Sequence, residues 1–288
     1  GSHPYGMMVG VMELPETLTP SKMSSFQSCG LAFRLSAIDR IAEPPTVPTV
    51  TGTITHETLE RLYLLPAGQR TPTAAAGLAA DTLARFAAED PEWADLDPDP
   101  ETAAGIAEAS AAAVGRYFLL EDPTRIEPVG LELRVETEID TAAGPVKLRG
   151  IIDRLDLIDG ELVITDYKTG RVPDPRFDHS RLSGVHFYAL LCEHLLGRRP
   201  AEVRLLYLSD PATAVTDKPT DQSTRGLTNR ISAMWSAIGG ACRTDGFQPR
   251  PSKLCDWCGY HAYCPAQGGT LPTPPATAET AVTIGASS

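Results

Sequence analysis

The sequence lacks the features of several classes of protein. It contains no apolar run long enough to span a membrane, so we expect no membrane partner. It shows no secretory segment, so we expect a cytoplasmic protein in which disulfides are the weakest explanation for the six cysteines. Basic residues are scarce: 25 Lys and Arg stand against 37 Asp and Glu, which gives a formal net charge of −12. This charge argues against a protein that coats long duplex DNA.

What the sequence does contain is a predicted β-hairpin that carries charges on an apolar face. Asp159-Gly160 is a two-residue turn signal between apolar, β-branched runs. If these residues form the turn, Asp153 lies opposite Asp166, about 5 Å away across the ladder. Lys168 follows on the same face. The other residues of this face are predicted to point to the core: Ile151, Leu155, Leu157, Leu162 and Ile164.

Two opposed carboxylates at the end of an apolar face need a counter-ion. Mg²⁺ or Mn²⁺ fits, because both ions take oxygen ligands from carboxylates and phosphates. Lys168 would then polarise a water or stabilise the charge that develops on phosphorus. The alternative is a structural ion triad, in which Lys168 neutralises one carboxylate and the other stays buried and unpaired at a cost. The pattern therefore favours a metal site.

The hairpin resembles a known active site. The motif Gly150-x-x-Asp153-Arg154-x-Asp followed by Asp166-Tyr167-Lys168-Thr-Gly is similar to the core of the PD-(D/E)xK nuclease superfamily, in the branch of RecB-type exonuclease domains, AddB-like nucleases and Cas4. This resemblance implies that Asp153, Asp166 and Lys168 are catalytic. It also implies that the two carboxylates and the backbone carbonyl of Tyr167 bind Mg²⁺ or Mn²⁺.

Two residues upstream of the hairpin extend the resemblance. The segment Gly52-x-x-x-His56 is similar to the helix that supplies a metal-binding and catalytic histidine in this branch. Taken alone, a histidine beside an apolar helical stripe is more often a hydrogen-bonded core residue. Glu132 resembles the acidic residue on the strand before the hairpin, although an exposed strand residue is an alternative. Both are therefore candidates for the site.

The family pattern also bears on DNA binding. Relatives commonly carry a glutamine four residues before a tyrosine in the helix after the hairpin, where this chain has Gly184 and Tyr188. Tyr188 is predicted either to stack on a base or to pack in the core. Together with Arg154 and Glu132, it completes the set of candidate DNA contacts.

Four of the six cysteines form a second pattern. Cys255, Cys258 and Cys264 follow Cys-x₂-Cys-x₅-Cys spacing, and Cys29 is the obvious fourth ligand. This arrangement resembles the [4Fe–4S] staple of AddB-like and Cas4 nucleases, which implies a structural cluster that joins the two ends of the domain. Closing so long a loop would restrict the unfolded chain by about 5 kcal/mol. Zn²⁺ satisfies the same spacing and stays open as the alternative. Cys192 and Cys242 are predicted to be buried thiols.

The order of predicted elements indicates one large α/β (α+β) domain. Two short helices over about 21–65 bear Cys29 and His56, and an Ala-rich helical insertion follows over about 72–120. The next elements are strands at 129–139, 146–158 and 161–168, a helix at 182–196, a strand at 202–208 and a helix at 222–243. This order matches the restriction-endonuclease-like αβββαβ core that the resemblance implies. We place a tag remnant (Gly1–His3) and an N-terminal segment in residues 1–20, the nuclease domain in 21–267 and a disordered tail in 268–288.

The resemblance implies a Mg²⁺- or Mn²⁺-dependent DNA exonuclease of the RecB/Cas4-like type. We expect its substrate to be DNA that is single-stranded or has free ends, in repair or recombination, with a helicase or an integrase as a candidate partner. One alternative is a Cas4-like nuclease of CRISPR adaptation. Another is a DNA-binding or scaffold subunit without activity, and a weaker one is a zinc-stapled hydrolase of a different phosphodiester.

Overall fold

The structure is a computed structural model that describes residues 12–173 and 178–272. The predicted tag remnant and most of the predicted tail lie outside these residues. The chain divides into two compact units. The larger unit comprises Glu16–Pro20 and Pro44–Trp235, and the smaller comprises the residues before Glu16, Ser21–Glu43 and the residues from Ser236 onward.

The larger unit is built on a five-stranded mixed sheet whose strands follow one another in chain order. Strands β1 (Pro128–Thr141), β2 (Gly144–Ile158) and β3 (Glu161–Lys168) pair antiparallel. Strand β4 (Glu202–Tyr207) runs parallel to β3, and β5 (Thr213–Asp217) is antiparallel to β4. The first four strands confirm the predicted order. The sequence analysis missed β5, because a five-residue edge strand with little apolar content gives a weak signal.

Eight α-helices and one π-helix are found in the described part of the chain. Their bounds are α1 Pro20–Ser28, α2 Gly30–Phe33, the π-helix Arg34–Ile38, α3 Val47–Leu64, α4 Pro72–Glu89, α5 Pro91–Leu96, α6 Pro100–Tyr117, α7 Asp178–Leu196 and α8 Asp221–Thr244. Helix α3 is longer than predicted and begins with a capping box at Thr46 and Thr49. None of these helices has the length and apolar character that crossing a membrane requires.

Helix α3 lies at the centre of the larger unit. Its residues Val50 and Ile54 pack against Phe86 of α4 and Ile106 of α6 in one apolar cluster. Further along α3, a second cluster packs against α6 and the strands β3 and β4: it includes Leu59, Leu62, Tyr63, Tyr117, Tyr167 and Leu206. Because α3 contacts both the helices and the sheet, its side chains are held firmly where they face the hairpin.

The register of the β2–β3 hairpin is as predicted, but its burial is not. The pairs run from Ile158↔Glu161 to Arg154↔Thr165, around a turn in which Asp159 and Gly160 both have positive φ. Two residues of the predicted core face, Ile151 and Leu157, are 41% and 48% exposed, so that prediction was wrong for them. The opposite face is buried instead, with Ile152, Arg154, Asp156, Thr165 and Tyr167. Central strands packed on both faces do not show simple alternation.

Candidate active site

Three residues from three different elements bring their ligand atoms together in the larger unit. They are His56 of α3, Glu132 of β1 and Asp153 of β2, and these atoms all lie within 4.8 Å of one another. His56 Nδ1 lies 3.4 Å from Asp153 Oδ2. Within residues 12–173 and 178–272, no other group of three His, Cys, Asp or Glu residues meets this criterion. The arrangement can therefore hold a metal ion.

Glu132 reaches this position through an unusual backbone conformation. Its φ is +42°, in the left-handed region that residues other than Gly rarely adopt. It lies on β1 between the paired residues Leu131 and Leu133, opposite Asp153. Such strain persists only where the surrounding structure enforces it, and it is often found at functional sites. Burial and the charge of Asp153 raise the pKa of Glu132 to about 7.

Asp153 lies just beyond the point where the β2–β3 ladder ends. The last backbone pair is Arg154↔Thr165, and the Tyr167 amide then donates to Asp153 Oδ2 at 2.7 Å. This hydrogen bond to the Asp153 side chain thus takes the place of the next backbone hydrogen bond of the ladder. This charge-assisted bond holds the carboxylate in one orientation.

Asp166 and Lys168 form a close pair beside this group. Lys168 Nζ lies 2.6 Å from Asp166 Oδ2, and Asp166 is only 4% exposed. Burial raises the pKa of Asp166 to about 6, opposed by Lys168 and reinforced by Asp153. The lysine side chain is nearly half exposed, so its amine can also reach a molecule that enters from solvent.

The charges of the site are unbalanced. Three carboxylates (Glu132, Asp153 and Asp166) face one lysine and one histidine. The structural ion triad of the sequence analysis would leave one carboxylate without a positive partner. In the structure, Asp153 has partners in His56 and the Tyr167 amide. The carboxylate whose charge is not compensated is that of Glu132. The charge of Asp153 contributes to the raised pKa values of Glu132 and Asp166, and clustered carboxylates of this kind attract a cation.

Tyr188 of α7 lies beside the carboxylates. Burial, followed by the charges of Asp166, Asp153 and Glu132, raises the pKa of the Tyr188 hydroxyl. Gly150 of β2 permits this approach: a Cβ at this position would lie 2.9 Å from Tyr188 Cε1. Packing against Tyr188 thus explains why the hairpin motif begins with a glycine, Gly150.

We expect the substitution Gly150→Ala to displace Tyr188 and to destabilise the fold by about 1–3 kcal/mol, because the added methyl also meets Leu191 Cδ1 at 2.9 Å. Urea unfolding measures the loss. Gly105→Ala in α6 is the matched control, since nothing lies within 4 Å of its Cβ and Ala favours helix. Equal stabilities of the two variants would contradict the packing argument.

The structure corrects the prediction for Arg154. This residue was a candidate DNA contact, but its side chain is completely buried. A guanidinium without exposed surface cannot touch DNA. Its partners include Tyr63, Tyr117 and Glu121, which lie 33 to 91 residues away in the sequence, so no local pattern could have indicated them.

The four patterned cysteines line one cavity in the smaller unit. Cys29 directly precedes α2, and Cys255 lies in a 3₁₀-helix, Lys253–Trp257. The cavity has a volume of about 120 Å³, and Cys258 and Cys264 complete its set of sulfur atoms. Backbone amides point at two of them: the amide of Arg250 lies 3.4 Å from Cys29 Sγ, and that of Ser252 lies 3.3 Å from Cys255 Sγ.

The other two cysteines are buried. Cys192 and Cys242 are 1% and 2% exposed, as predicted. Burial raises the pKa of the Cys192 thiol to about 11 and also raises that of Cys242, so neither is a reactive thiolate. None of the six cysteines forms a disulfide.

The mixed sheet and the acidic site with its lysine are those of a nuclease with a restriction-endonuclease-like fold, which confirms the predicted fold class. The model of the PD-(D/E)XK nuclease superfamily matches residues 17–265, and the chain belongs to this superfamily. Nucleases of this superfamily use divalent metal ions, and the group of His56, Glu132 and Asp153 provides a place for one.

Two solved structures are similar to this chain at low sequence identity, and the first of them shares its fold. A protein named "Putative exonuclease" from Eubacterium rectale is 13% identical, with a TM-score of 0.53 over 84% of this chain and 87% of that chain. The protein SSO0001 is 16% identical, with a TM-score of 0.38 over 64% of this chain and 81% of that one. A comparison with curated proteins finds no match.

Proposed function

We propose that this protein is a Mg²⁺- or Mn²⁺-dependent DNA exonuclease of the RecB/Cas4-like type, acting in repair or recombination on DNA with free ends, preferentially single-stranded. The observation that carries the proposal is the convergence of His56, Glu132 and Asp153 beside Asp166 and Lys168. A structural role for these residues would not require three carboxylates, one of them on a strained backbone.

The residues fit the proposed metal. His56, Asp153, Asp166 and the Tyr167 carbonyl would hold it, and we propose Glu132 as a further ligand. The ligand atoms of His56, Glu132 and Asp153 lie within 4.8 Å of one another, whereas Asp166 does not belong to that group. Carboxylate and carbonyl oxygens suit Mg²⁺ and Mn²⁺. When bound, such an ion binds the scissile phosphate and lowers the pKa of an attacking water.

Residues of the chain itself would orient the metal ligands and contact the phosphate. The Tyr167 amide holds Asp153, and His56 lies against the same carboxylate oxygen, so the site is preorganised. Lys168 is held by Asp166 and is exposed enough to donate to a phosphate oxygen or to orient the water. Cleavage on this pattern would leave a 5′-phosphate and a 3′-hydroxyl. Tyr188 remains a candidate DNA contact beside the carboxylates.

One observation supports the exonuclease assignment, and a second is only compatible with it. A net charge of −12 argues against coating of long duplex and is compatible with an end-directed enzyme, but also with a protein that is not a nuclease. The structural neighbour named as an exonuclease covers most of both chains. A helicase, which would expose single-stranded ends, or an integrase, which would use trimmed ends, remains a candidate partner.

The test is a cleavage assay with Mn²⁺ on matched linear and circular single-stranded DNA. We expect the linear substrate to be shortened from an end and the circle to survive. The position of an end label gives the polarity, and linear duplex tests the strand preference. Equal cutting of the circle would contradict the exonuclease. No cutting of any DNA would favour the non-catalytic subunit.

We further propose that Cys29, Cys255, Cys258 and Cys264 hold a [4Fe–4S] cluster. The cavity of about 120 Å³ that these cysteines help to line has room for a group larger than one water or one Zn²⁺. Four sulfur atoms around one Zn²⁺ would lie about 3.8 Å apart. No three of these sulfur atoms approach within 4.8 Å of one another, which favours the wider cluster.

We expect Cys258→Ser to lower the iron content of anaerobically purified protein from about four atoms per chain to near zero. The reason is that the cluster loses one of its four thiolates. Iron and acid-labile sulfide analyses measure the loss. Cys192→Ala is the control and should keep its iron, since Cys192 is buried elsewhere. Zinc without iron in the unsubstituted protein would establish the alternative occupant.

A further inference from the structure

A completely buried arginine lies one residue from a candidate metal ligand. Arg154 follows Asp153 on β2 and has no exposed side-chain surface. Its Nε donates to both carboxylate oxygens of Asp156 at 3.0 Å. Its Nη1 donates to the hydroxyls of Tyr63 at 2.7 Å and of Tyr167 at 2.8 Å. The two tyrosines belong to α3 and β3, so Arg154 joins β2 to two other elements.

The second terminal nitrogen completes the set. Arg154 Nη2 donates to Thr165 Oγ1 at 3.0 Å and to Glu121 Oε1 at 3.1 Å. The Tyr117 hydroxyl contacts that of Tyr63 and donates to Glu121 at 3.2 Å. We call this group the Arg154 network; its members are Tyr63, Tyr117, Glu121, Arg154, Asp156, Thr165 and Tyr167. Such a satisfied buried network favours one arrangement of its members over others.

The network and the candidate site are carried by the same elements. In α3, Tyr63 follows His56 by seven residues, which is two helical turns along one face. In β2, Arg154 follows Asp153. In β3, Thr165 and Tyr167 flank Asp166. Because adjacent residues of a strand point to opposite faces, the network holds each strand from the side opposite the site.

Tyr167 links the network directly to the proposed ligands. Its hydroxyl accepts from Arg154, while its amide donates to Asp153 Oδ2 at 2.7 Å. The edge of its ring also meets the ring of His56, with centroids 5.9 Å apart and planes at 88°. Tyr167 thus contacts His56 through its ring and Asp153 through its backbone amide, while its hydroxyl is held by Arg154.

We propose that Arg154 is a positioning residue of the metal site, which acts through Tyr167 to hold His56 and Asp153 at the spacing that binds the ion. This inference rests on the proposed metal site. Apolar residues could fill the same space with equal or greater stability, so stability alone gives no reason for an ion network here. Groups behind the first ligands commonly set metal affinity by 10-fold or more.

The test titrates MnCl₂ alone, without DNA, into the full chain and measures the affinity by calorimetry. Asp153→Asn identifies the binding that belongs to this site. Two variants weaken the network: Arg154→Lys, which cannot serve all the partners, and Tyr167→Phe, which removes one hydroxyl. Tyr117→Phe is the matched control: its hydroxyl also accepts from Arg154, at 3.4 Å, but Tyr117 supplies no proposed ligand.

We expect Arg154→Lys and Tyr167→Phe to weaken Mn²⁺ binding about 10-fold, and Tyr117→Phe to leave it unchanged. The melting temperatures of the two Phe variants should be similar. If Tyr167→Phe binds Mn²⁺ as the unsubstituted protein does, the positioning role is wrong even where Arg154→Lys unfolds. If the unsubstituted protein shows no binding that Asp153→Asn removes, the metal site itself is wrong.

Discussion

Replacing Asp166 with Asn should lower the rate of Mn²⁺-dependent DNA cleavage by about 10³-fold or more. Asn keeps the shape of the side chain but removes the negative charge that would face the metal. It also removes the carboxylate that holds Lys168 at 2.6 Å. One substitution thus affects both the proposed ligand and the proposed phosphate contact. The cleavage rate on end-labelled single-stranded DNA measures the effect.

The fold of Asp166→Asn should survive. Burial raises the pKa of Asp166 to about 6, so its charge costs stability in the folded state and an amide should not lower the melting temperature. Asp217→Asn is the control: it makes the same chemical change on β5, where Asp217 pairs with His186. A cleanly purified Asp166→Asn protein that still cuts DNA at the original rate would overturn the assignment of the active site.

The hairpin could be predicted because local chemistry determines it. A two-residue Asp-Gly turn fixes which residues of β2 and β3 are opposite, and the observed pairs follow the predicted register as far as Arg154↔Thr165, one step before Asp153 and Asp166. The helix of His56 was also predictable, since its apolar stripe has helical period. Both inferences need only short stretches of sequence.

The remaining features depend on residues far apart or on backbone conformation. Glu132 stands between two leucines in an ordinary strand pattern, and nothing there indicates a positive φ. Arg154 appeared as a charged residue in a motif, but its burial depends on hydroxyls and a carboxylate contributed by α3 and the segment after α6. The alternation of apolar residues along the strand did not predict the exposure of Ile151 and Leu157, because packing on both sides of the sheet decides which residues are buried there.

The second large effect concerns stability. We expect Arg154→Met to lower the free energy of unfolding by about 3–5 kcal/mol near neutral pH. Met fills much of the space but cannot donate, so Asp156, which is 1% exposed, remains buried without its cation. Urea unfolding measures the loss. The double variant Arg154→Met/Asp156→Asn should lose less than the single one, because it no longer contains that unpaired charge.

The pH dependence separates lost charge pairing from lost packing. Burial already raises the pKa of Asp156, and Arg154 is the main influence that lowers it. Without Arg154, the folded-state pKa of Asp156 rises further above its unfolded value of about 4, so the folded state binds the proton more tightly. The loss of unfolding free energy caused by Arg154→Met should therefore reach its full value above that raised pKa and should become smaller as the pH falls toward 4. Urea unfolding at pH 8 and pH 5.5 tests this. An equal loss of unfolding free energy at the two pH values would mean that Arg154→Met destabilises the fold through packing alone.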